Sequence, residues 1–221
     1  MPSSTVAAFD LDGTLTRGGS VFHWLRFVCG NAAVARVAAP LSPALTLGAI
    51  RSGHYADDAK ERLFEGLLRG RPLTDVAEQS RRFILEHLAH EGRLEVIARL
   101  RWHLERHDDV VIVSASPQLY VDVLVEHFGI SGGLGTRLAV DDSGRLTGRY
   151  FGKNCRGTEK MRRLSEWIAE RSYETPPTIY AYGNSRGDRR LLAGAHLPYD
   201  VGRLGRLGAL RAYPRLSPDS P

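Results

Sequence analysis

The chain has 221 residues, 43% of them hydrophobic, which is enough for one full core or for one core with a small inserted domain. The 30 basic residues exceed the 25 acidic ones and give a net charge of +5, a balance that suits anionic partners. Nearly all of the basic residues are Arg scattered along the chain, which is typical of a solvated surface, so no nucleic-acid partner is predicted. The two cysteines, Cys29 and Cys155, are too far apart for ligand-like spacing, which excludes a disulfide framework or a zinc site.

Scarce cysteine fits a reducing compartment. The N-terminus also lacks a basic region followed by an apolar stretch, so the sequence shows no signal peptide. We therefore expect a cytoplasmic protein.

The first element is a short apolar run over residues 6–9 that ends abruptly at Asp10. Such a run is typical of a buried strand in a parallel sheet. Residues two apart on a strand point the same way, so Asp10 and Asp12 can face one site while Leu11 turns into the core. Two neighbouring carboxylates stay ionised together when a hard cation such as Mg²⁺ lies between them. An ordinary strand-end turn at Asp12-Gly13 would also explain the pattern, and the rest of the chain has to decide.

A strongly apolar stretch over residues 21–50 follows, and Pro40 and Pro43 interrupt it, so no uninterrupted membrane span exists. The spacing of apolar residues predicts helices over residues 21–37, 43–51, 55–68 and 73–90. Residues 18–88 therefore form an all-helical insert placed directly after the first strand.

Helices and buried strands alternate after this insert. The patterns predict, in order, a helix over 91–107, a strand over 110–113, a helix from Pro117 to 128 capped by Ser116, a β-hairpin between 138 and 151, a helix over 157–171, a strand over 178–182, a helix to 193 and a short strand over 199–201. The tail after Ser217 is predicted to be disordered.

Small or acidic polar residues follow three of the predicted strands: Asp10 and Asp12, Ser114 and Ser116, Asn184 and Asp188. The alternation of strands and helices favours an α/β fold with a doubly wound parallel sheet. In such sheets ligands bind beyond the carboxyl ends of the strands. The three sets are therefore expected to converge on one site, although they are far apart in the sequence.

Four stretches resemble the four motifs of the haloacid dehalogenase superfamily of phosphohydrolases: the run DLDGTLT from Asp10 to Thr16, Ser114, a lysine opening a late helix, and Gly183-Asn184 with Asp188. The insert resembles the helical cap of the phosphoserine-phosphatase-like branch, subfamily IB. The resemblance covers nearly the whole chain. It implies a Rossmann-like core of residues 1–17 and 89–221, and a cap domain of residues 18–88 that selects the substrate.

The resemblance also implies a phosphatase that works through an aspartyl-phosphate. Asp10 resembles the nucleophile that attacks phosphorus. Asp12 resembles the general acid that protonates the leaving oxygen and then the base that activates water. Phosphate binding would fall to Ser114, amides of the following turn and the first motif, a set comprising Ser114, Ala115, Gly13 and Thr14.

The implied cofactor is Mg²⁺, held by Asp10, Asp12, Asn184 and Asp188. Asp12 would bind through its backbone carbonyl, and Asp188 would support the site from behind Asn184. Many relatives carry Asp where this chain has Asn184. An amide keeps an oxygen ligand but loses a charge, so we expect a lower affinity for magnesium.

The catalytic lysine has three candidates. We prefer Lys160, because Leu164 four residues on places it on a helix with one buried face. Lys153 and Arg156 are the alternatives. Arg186, in the loop of the last motif, is either a substrate contact or a surface residue.

The predicted substrate is a small phosphorylated metabolite. Phosphoserine phosphatases share a glutamate at the position of Gly19, so phosphoserine itself fits this chain less well. The apolar insert also suits contact with a membrane surface, and with it a lipid-phosphate ester resembling phosphatidylglycerophosphate, although a cap that buries its own core is the simpler interpretation. Two further activities stay open: transfer of the phosphoryl group to another acceptor, and phosphate binding without turnover.

Overall fold

A computed structural model describes residues 5–41, 54–202 and 208–217. The helix predicted over 43–51 and the disorder predicted after Ser217 lie outside these ranges. The described elements are β1 (Thr5–Phe9), α1 (Val21–Cys29), α2 (Asn31–Ala38), α3 (His54–Leu68), α4 (Leu73–Glu91), α5 (Leu94–Glu105), β2 (Asp109–Pro117), α6 (Gln118–Phe128), β3 (Gly132–Thr136), β4 (Leu138–Val140), β5 (Leu146–Tyr150), α7 (Thr158–Ala169), β6 (Thr178–Gly183), a 3₁₀ turn (Arg186–Asp188), α8 (Arg189–Ala193) and β7 (Leu197–Asp200).

The central sheet has five parallel strands in the order β3-β2-β1-β6-β7. β1 lies in the middle, and Phe9 at its carboxyl end is opposite Ile112 of β2 and Tyr182 of β6. The residues that follow these three strands therefore meet at one edge of the sheet. The predicted α/β fold with a parallel sheet is confirmed.

Both faces of the sheet are covered, which explains why its strands are continuous apolar runs. Ala7 and Phe9 of β1 face a core shared with α5, α6 and the helices of the insert. Val6 and Ala8 face a second core that contains residues of α7 and α8. The alternation along β1 thus connects the sheet to both layers of helices.

The insert between β1 and β2 is helical throughout its described part. The single helix predicted over 21–37 is wrong, because the chain breaks at Gly30, whose φ of 82° lies in the left-handed region that ends a helix. Trp24, Leu25 and Val34 are buried, so the apolar sequence of the insert contributes to the core that it shares with the sheet. Among the described residues, no helix has both the length and the apolar character needed to cross a membrane.

The hairpin forms as predicted from β4 and β5, but the edge strand β3 was missed because its sequence, GGLGT, is glycine-rich. Side chains cover its open edge: Gln118 accepts from Gly135 N at 2.6 Å and donates to Gly133 O at 2.9 Å. Arg163 donates to Gly135 O at 2.6 Å. These bonds occupy backbone groups that would otherwise be open to another strand.

β2 is longer than predicted and runs through the second motif to Pro117. The following helix begins at Gln118, and Pro117 at its N-terminus provides no side-chain hydrogen bond. The prediction that Ser116 caps this helix is therefore wrong. Its hydroxyl instead donates to Asp12 Oδ2 at 2.9 Å, across the edge of the sheet.

Candidate active site

A buried ion pair lies at the carboxyl end of β1. Lys160 Nζ, on the first turn of α7, donates to Asp10 Oδ1 at 2.6 Å and to Asp188 Oδ1 at 2.6 Å. All three side chains are at least 93% buried, so the lysine neutralises two carboxylates that are largely shielded from water. The structure thus brings together residues 150 and 28 positions apart in the sequence.

Electrostatics in this cluster depend on the pairing. Burial and then the negative charge of Asp188 raise the pKa of Asp10, and Lys160 opposes both effects. Burial alone would lower the pKa of Lys160, but the charges of Asp10 and Asp188 outweigh it and hold that pKa above its usual range. Lys160 therefore stays protonated beside Asp10 throughout the neutral pH range.

Asp188 has a second set of partners on the loop after β6. Its Oδ2 accepts from Asn184 N at 3.2 Å, from Ser185 N at 2.9 Å and from Ser185 Oγ at 2.8 Å. One carboxylate thus fixes both Lys160 and the loop that carries Asn184, which is the support expected of a residue behind a metal ligand.

Three oxygen-bearing groups converge at the end of β1: the carboxylate of Asp10, the backbone carbonyl of Asp12 and the side-chain amide of Asn184. One terminal atom of the Asn184 amide lies 3.1 Å from the carbonyl oxygen of Asp12 and 3.3 Å from Asp10 Oδ2. A nitrogen at that position donates to both oxygens, whereas rotation of the amide presents an oxygen and completes a set of three. Among the described residues no three His, Cys, Asp or Glu side chains form a metal site. A carboxylate, a carbonyl and an amide nevertheless fit Mg²⁺, which binds few protein oxygens and keeps several waters.

The turn after β1 allows the side chain of Asn184 to approach its backbone closely. Gly13 has a φ of 81°, and a Cβ at this position would lie 2.0 Å from the other terminal atom of the Asn184 amide. Only glycine combines that conformation with that contact. Thr14 Oγ1 donates to Asp10 Oδ2 at 3.0 Å and fixes the nucleophile candidate from the other side.

Ser114 and Ala115 lie within β2, beside the end of β1. Ser114 is buried, and its Oγ accepts from Ser116 N at 3.1 Å. The carbonyl oxygen of Ala115 accepts from Thr136 Oγ1 at 2.8 Å and from Lys60 Nζ at 2.6 Å. The predicted phosphate-binding segment is thus held by a neighbouring strand and by a helix of the insert.

Lys60 is a charged residue of the site that sequence reasoning missed. It lies on α3, and burial lowers its pKa to about 8, although the negative charges of Asp12 and Asp57 partly offset this. The available signal was its rarity, because the chain has only three lysines. Nothing in the local pattern shows that this helix reaches the second motif.

The alternative candidates lie elsewhere. Lys153 is exposed, and Arg156 Nη1 lies 3.7 Å from Asp57 Oδ1 of α3. Arg186 is exposed at the start of the 3₁₀ turn, and its contact with substrate remains a prediction. The geometry favours Lys160 as the lysine of the cluster.

The sequence of the chain matches the model of the haloacid dehalogenase-like hydrolase family over residues 7–193. It is 31% identical to protein CicA of Caulobacter vibrioides over 191 residues, which cover 85% of this chain and 82% of that protein. It is 25% identical to a histidinol-phosphatase of Neisseria meningitidis over 190 residues, 85% of each chain. A solved structure of a phospho-aspartyl intermediate analogue of phosphoserine phosphatase superposes with a TM-score of 0.63 at 19% identity, covering 90% of this chain and 86% of that one.

The chain therefore belongs to the haloacid dehalogenase-like hydrolase family, and its resemblance to that family is confirmed. It is a hydrolase whose relatives include proteins named as phosphatases. The similarity to the phosphoserine phosphatase structure supports the fold, a Rossmann-like parallel sheet with flanking helices.

Proposed function

We propose that this hydrolase is a Mg²⁺-dependent phosphomonoester phosphatase that forms an aspartyl-phosphate on Asp10. The observation that carries the proposal is the asymmetry of the Asp10 carboxylate. Its Oδ1 accepts from Lys160 Nζ, whereas its Oδ2 accepts from Thr14 Oγ1 and lies 3.3 Å from one terminal atom of the Asn184 amide. A buried carboxylate held in this way is fixed in position and has its charge compensated, as a nucleophile requires.

The first step transfers the phosphoryl group. A carboxylate oxygen of Asp10 bonds to phosphorus as the bond from phosphorus to the leaving oxygen breaks, and Asp12 gives that oxygen a proton. Lys160 and Ser114 stabilise the charge on the transferring group. Phosphatases of this family generally use Mg²⁺, and a bound ion would supply further positive charge for the phosphoryl oxygens.

The second step releases phosphate. Asp12, now ionised, takes a proton from a water that attacks the phosphorus of the aspartyl-phosphate. The bond from phosphorus to the Asp10 oxygen breaks, and the carboxylate returns to its pairing with Lys160. Asp188 acts indirectly, by holding Lys160 and the loop that carries Asn184.

For the substrate we propose a small phosphorylated metabolite, selected by the cap of residues 18–88. A relative named for histidinol phosphate supports an amino-alcohol phosphate. Another relative is named for phosphoserine, but Gly19 stands where phosphoserine phosphatases share a glutamate, which counts against phosphoserine itself. A helix of the insert already reaches the phosphate segment through Lys60.

Contact of the insert with a membrane surface, and a cytoplasmic location, stay predictions. The buried Trp24 and Leu25 of α1 support the small metabolite, whereas the exposed Phe22 and Phe27 of the same helix are the residues that a lipid-facing cap would use.

The test is phosphate release by the purified chain from p-nitrophenyl phosphate, histidinol phosphate, phosphoserine and a phosphatidylglycerophosphate, each with MgCl₂ and with EDTA. We expect release with magnesium only, and the fastest release from a small ester. Asp10→Asn is the control and should release no phosphate. Retained activity in Asp10→Asn would overturn the proposed nucleophile. Hydrolysis of none of the esters, or transfer to an added alcohol instead of water, would overturn the hydrolase assignment to this ester class.

A further inference from the structure

Both carboxylate oxygens of Asp12 accept hydrogen bonds from groups that have no role in the two chemical steps proposed above. Ser20 N donates to Oδ1 at 2.9 Å, and Ser116 Oγ donates to Oδ2 at 2.9 Å. Ser20 precedes the first helix of the insert, whereas Ser116 belongs to β2 of the core. The orientation of Asp12 is therefore set from the insert and from the core together.

A chain of buried hydroxyl groups continues behind these donors. Ser20 Oγ lies 3.5 Å from Ser116 Oγ and 2.8 Å from the hydroxyl of Tyr120, and all three residues have no exposed surface. Buried hydroxyls are costly to desolvate and remain only where each has a partner. Here the hydroxyls are partners of one another, and this hydrogen-bonded row of Tyr120, Ser20 and Ser116 ends on the carboxylate of Asp12.

Ser116 also connects this chain to phosphate binding. Its backbone N–H donates to Ser114 Oγ at 3.1 Å while its side chain donates to Asp12. Ser20 is at the N-terminus of α1 but makes no side-chain cap bond to that helix, so its hydroxyl is committed to Tyr120. Neither serine is therefore explained by the secondary structure around it.

We propose that Ser116, Ser20 and Tyr120 are positioning residues that aim the carboxyl group of Asp12 at the leaving oxygen of the substrate, an inference that rests on the proposed phosphatase activity. A hydroxyl both donates and accepts, so the row of three hydroxyls keeps its hydrogen bonds whether Asp12 is ionised or protonated. A fixed orientation lets a general acid contribute to catalysis, because proton transfer requires the carboxyl group to lie within hydrogen-bond distance of the leaving oxygen.

The test uses esters that differ in their need for a proton. An alkyl leaving group requires protonation as it departs, whereas p-nitrophenolate leaves readily without it. Loss of the correct orientation of the Asp12 carboxyl group should therefore reduce kcat/KM for an alkyl phosphate much more than for p-nitrophenyl phosphate. For Ser116→Ala we expect a loss of about 30-fold on glycerol phosphate and of about threefold or less on p-nitrophenyl phosphate, because a misplaced general acid loses part of the roughly 10²–10⁴-fold that it contributes.

Two further variants make the test specific. Tyr120→Phe removes only the last hydroxyl of the chain, and should change the ratio of the two kcat/KM values in the same direction by about threefold. Ser80→Ala is the control for loss of a buried hydroxyl. Ser80 is equally buried in the insert, and its hydrogen bonds are to Trp24 Nε1 at 2.8 Å and Val76 O at 2.6 Å rather than to Asp12. This variant should leave the ratio unchanged.

A changed ratio in Ser116→Ala and Tyr120→Phe, with an unchanged ratio in Ser80→Ala, supports the proposal. If Ser116→Ala does not fold, Tyr120→Phe decides. Equal losses on both esters, or no loss, would overturn the proposal while the wild-type chain still hydrolyses them. Hydrolysis of neither ester by the wild type would instead overturn the proposed function.

Discussion

The site has two halves with different origins. The core half comes from the ends of β1, β2 and β6 and from α7, and contains Asp10, Ser114, Lys160 and Asn184. The insert half comes from α3 and the segment before α1, and consists of Lys60 and Ser20. The core half holds the nucleophile candidate and its counter-charge, whereas the insert half contacts Asp12 and Ala115 of the predicted phosphate-binding segment.

The difference shows how each half is specified. Neighbouring parallel strands carry their carboxyl ends to one edge whatever their side chains are, so the topology alone brings Asp10, Ser114 and Asn184 together. The insert half depends on how helices pack over that edge, and packing allows many arrangements of one sequence. We therefore expect variants of the core half to abolish chemistry, and variants of the insert half to change substrate binding or aim.

The largest effect is expected for Lys160→Met. It leaves Asp10 and Asp188 as two buried carboxylates without a cation between them. Phosphate release should fall by about 10³-fold, because a charge that stabilises the transition state is lost, and the free energy of unfolding should fall by about 4 kcal/mol. Steady-state kinetics and urea denaturation measure the two changes. Lys153→Met, which removes an exposed lysine, is the control; equal effects of the two variants would contradict this assignment.

His103 is buried beneath the core half of the site, on Tyr182 of β6, and has no role in the proposed mechanism. It therefore tests a contribution to stability alone. Its Nδ1 lies 2.8 Å from Asp108 Oδ2 and its Nε2 lies 2.8 Å from the Tyr182 hydroxyl, which accepts from Arg99 Nε. Burial lowers the pKa of His103 to about 4, although its hydrogen bond to Asp108 opposes the shift. The imidazole is therefore neutral in the folded chain.

As pH falls from 6.5, the unfolded chain binds a proton at this position before the folded chain does, so stability falls until about pH 4. The loss over that window should be about 3 kcal/mol. His103→Gln should remove this part of the pH dependence, as measured by urea denaturation across the window. Parallel curves for wild type and variant would show that His103 is not held neutral.

Asn184→Asp tests the three-oxygen set. A second carboxylate beside Asp10 increases repulsion without a cation and attraction with one. The variant should melt at a lower temperature than wild type in EDTA. Magnesium should raise its Tm by more, because an added carboxylate strengthens cation binding and tighter binding stabilises the folded state more. Equal responses of the two proteins to MgCl₂ would place the ion elsewhere.

The smallest effect is expected for the insert half. Lys60 is charged below its pKa of about 8 and neutral above it. The KM of the wild type for a phosphate ester should therefore rise about threefold between pH 7 and pH 9, as a positive charge beside Ala115 is lost. Lys60→Gln should have the high KM at both values, and Lys60→Arg the low one. A pH-independent KM in the wild type would remove Lys60 from substrate binding.

Sequence reasoning recovers four of the five strands of the sheet, all but β3, and most of the core half. The main reason is that apolar runs followed by polar residues mark strand ends. Helix periodicity favours Lys160 over Lys153, because it indicates which residues share the buried face, and Lys160 is the lysine that lies beside Asp10. Whether the insert forms a domain bounded at residues 18 and 88 stays a prediction.

What the sequence could not show depends on local conformation and on packing. The break at Gly30 needs a left-handed φ, which composition does not reveal. Ser116 has the residue type and position of a helix cap, and only the closeness of β1 and β2 shows that its hydroxyl goes to Asp12. Lys60 reaches Ala115 across 55 residues of sequence, a distance that no periodicity spans.

The central claim is that Asp10 carries the phosphoryl group. The most direct test is to mix the chain with p-nitrophenyl phosphate and MgCl₂, quench with acid within one turnover, and measure the mass of the intact protein. We expect a wild-type species heavier by one phosphoryl group, mapped to the peptide containing Asp10, and no such species in Asp10→Asn. A phosphoryl group on another residue, or one retained in Asp10→Asn, would contradict the claim.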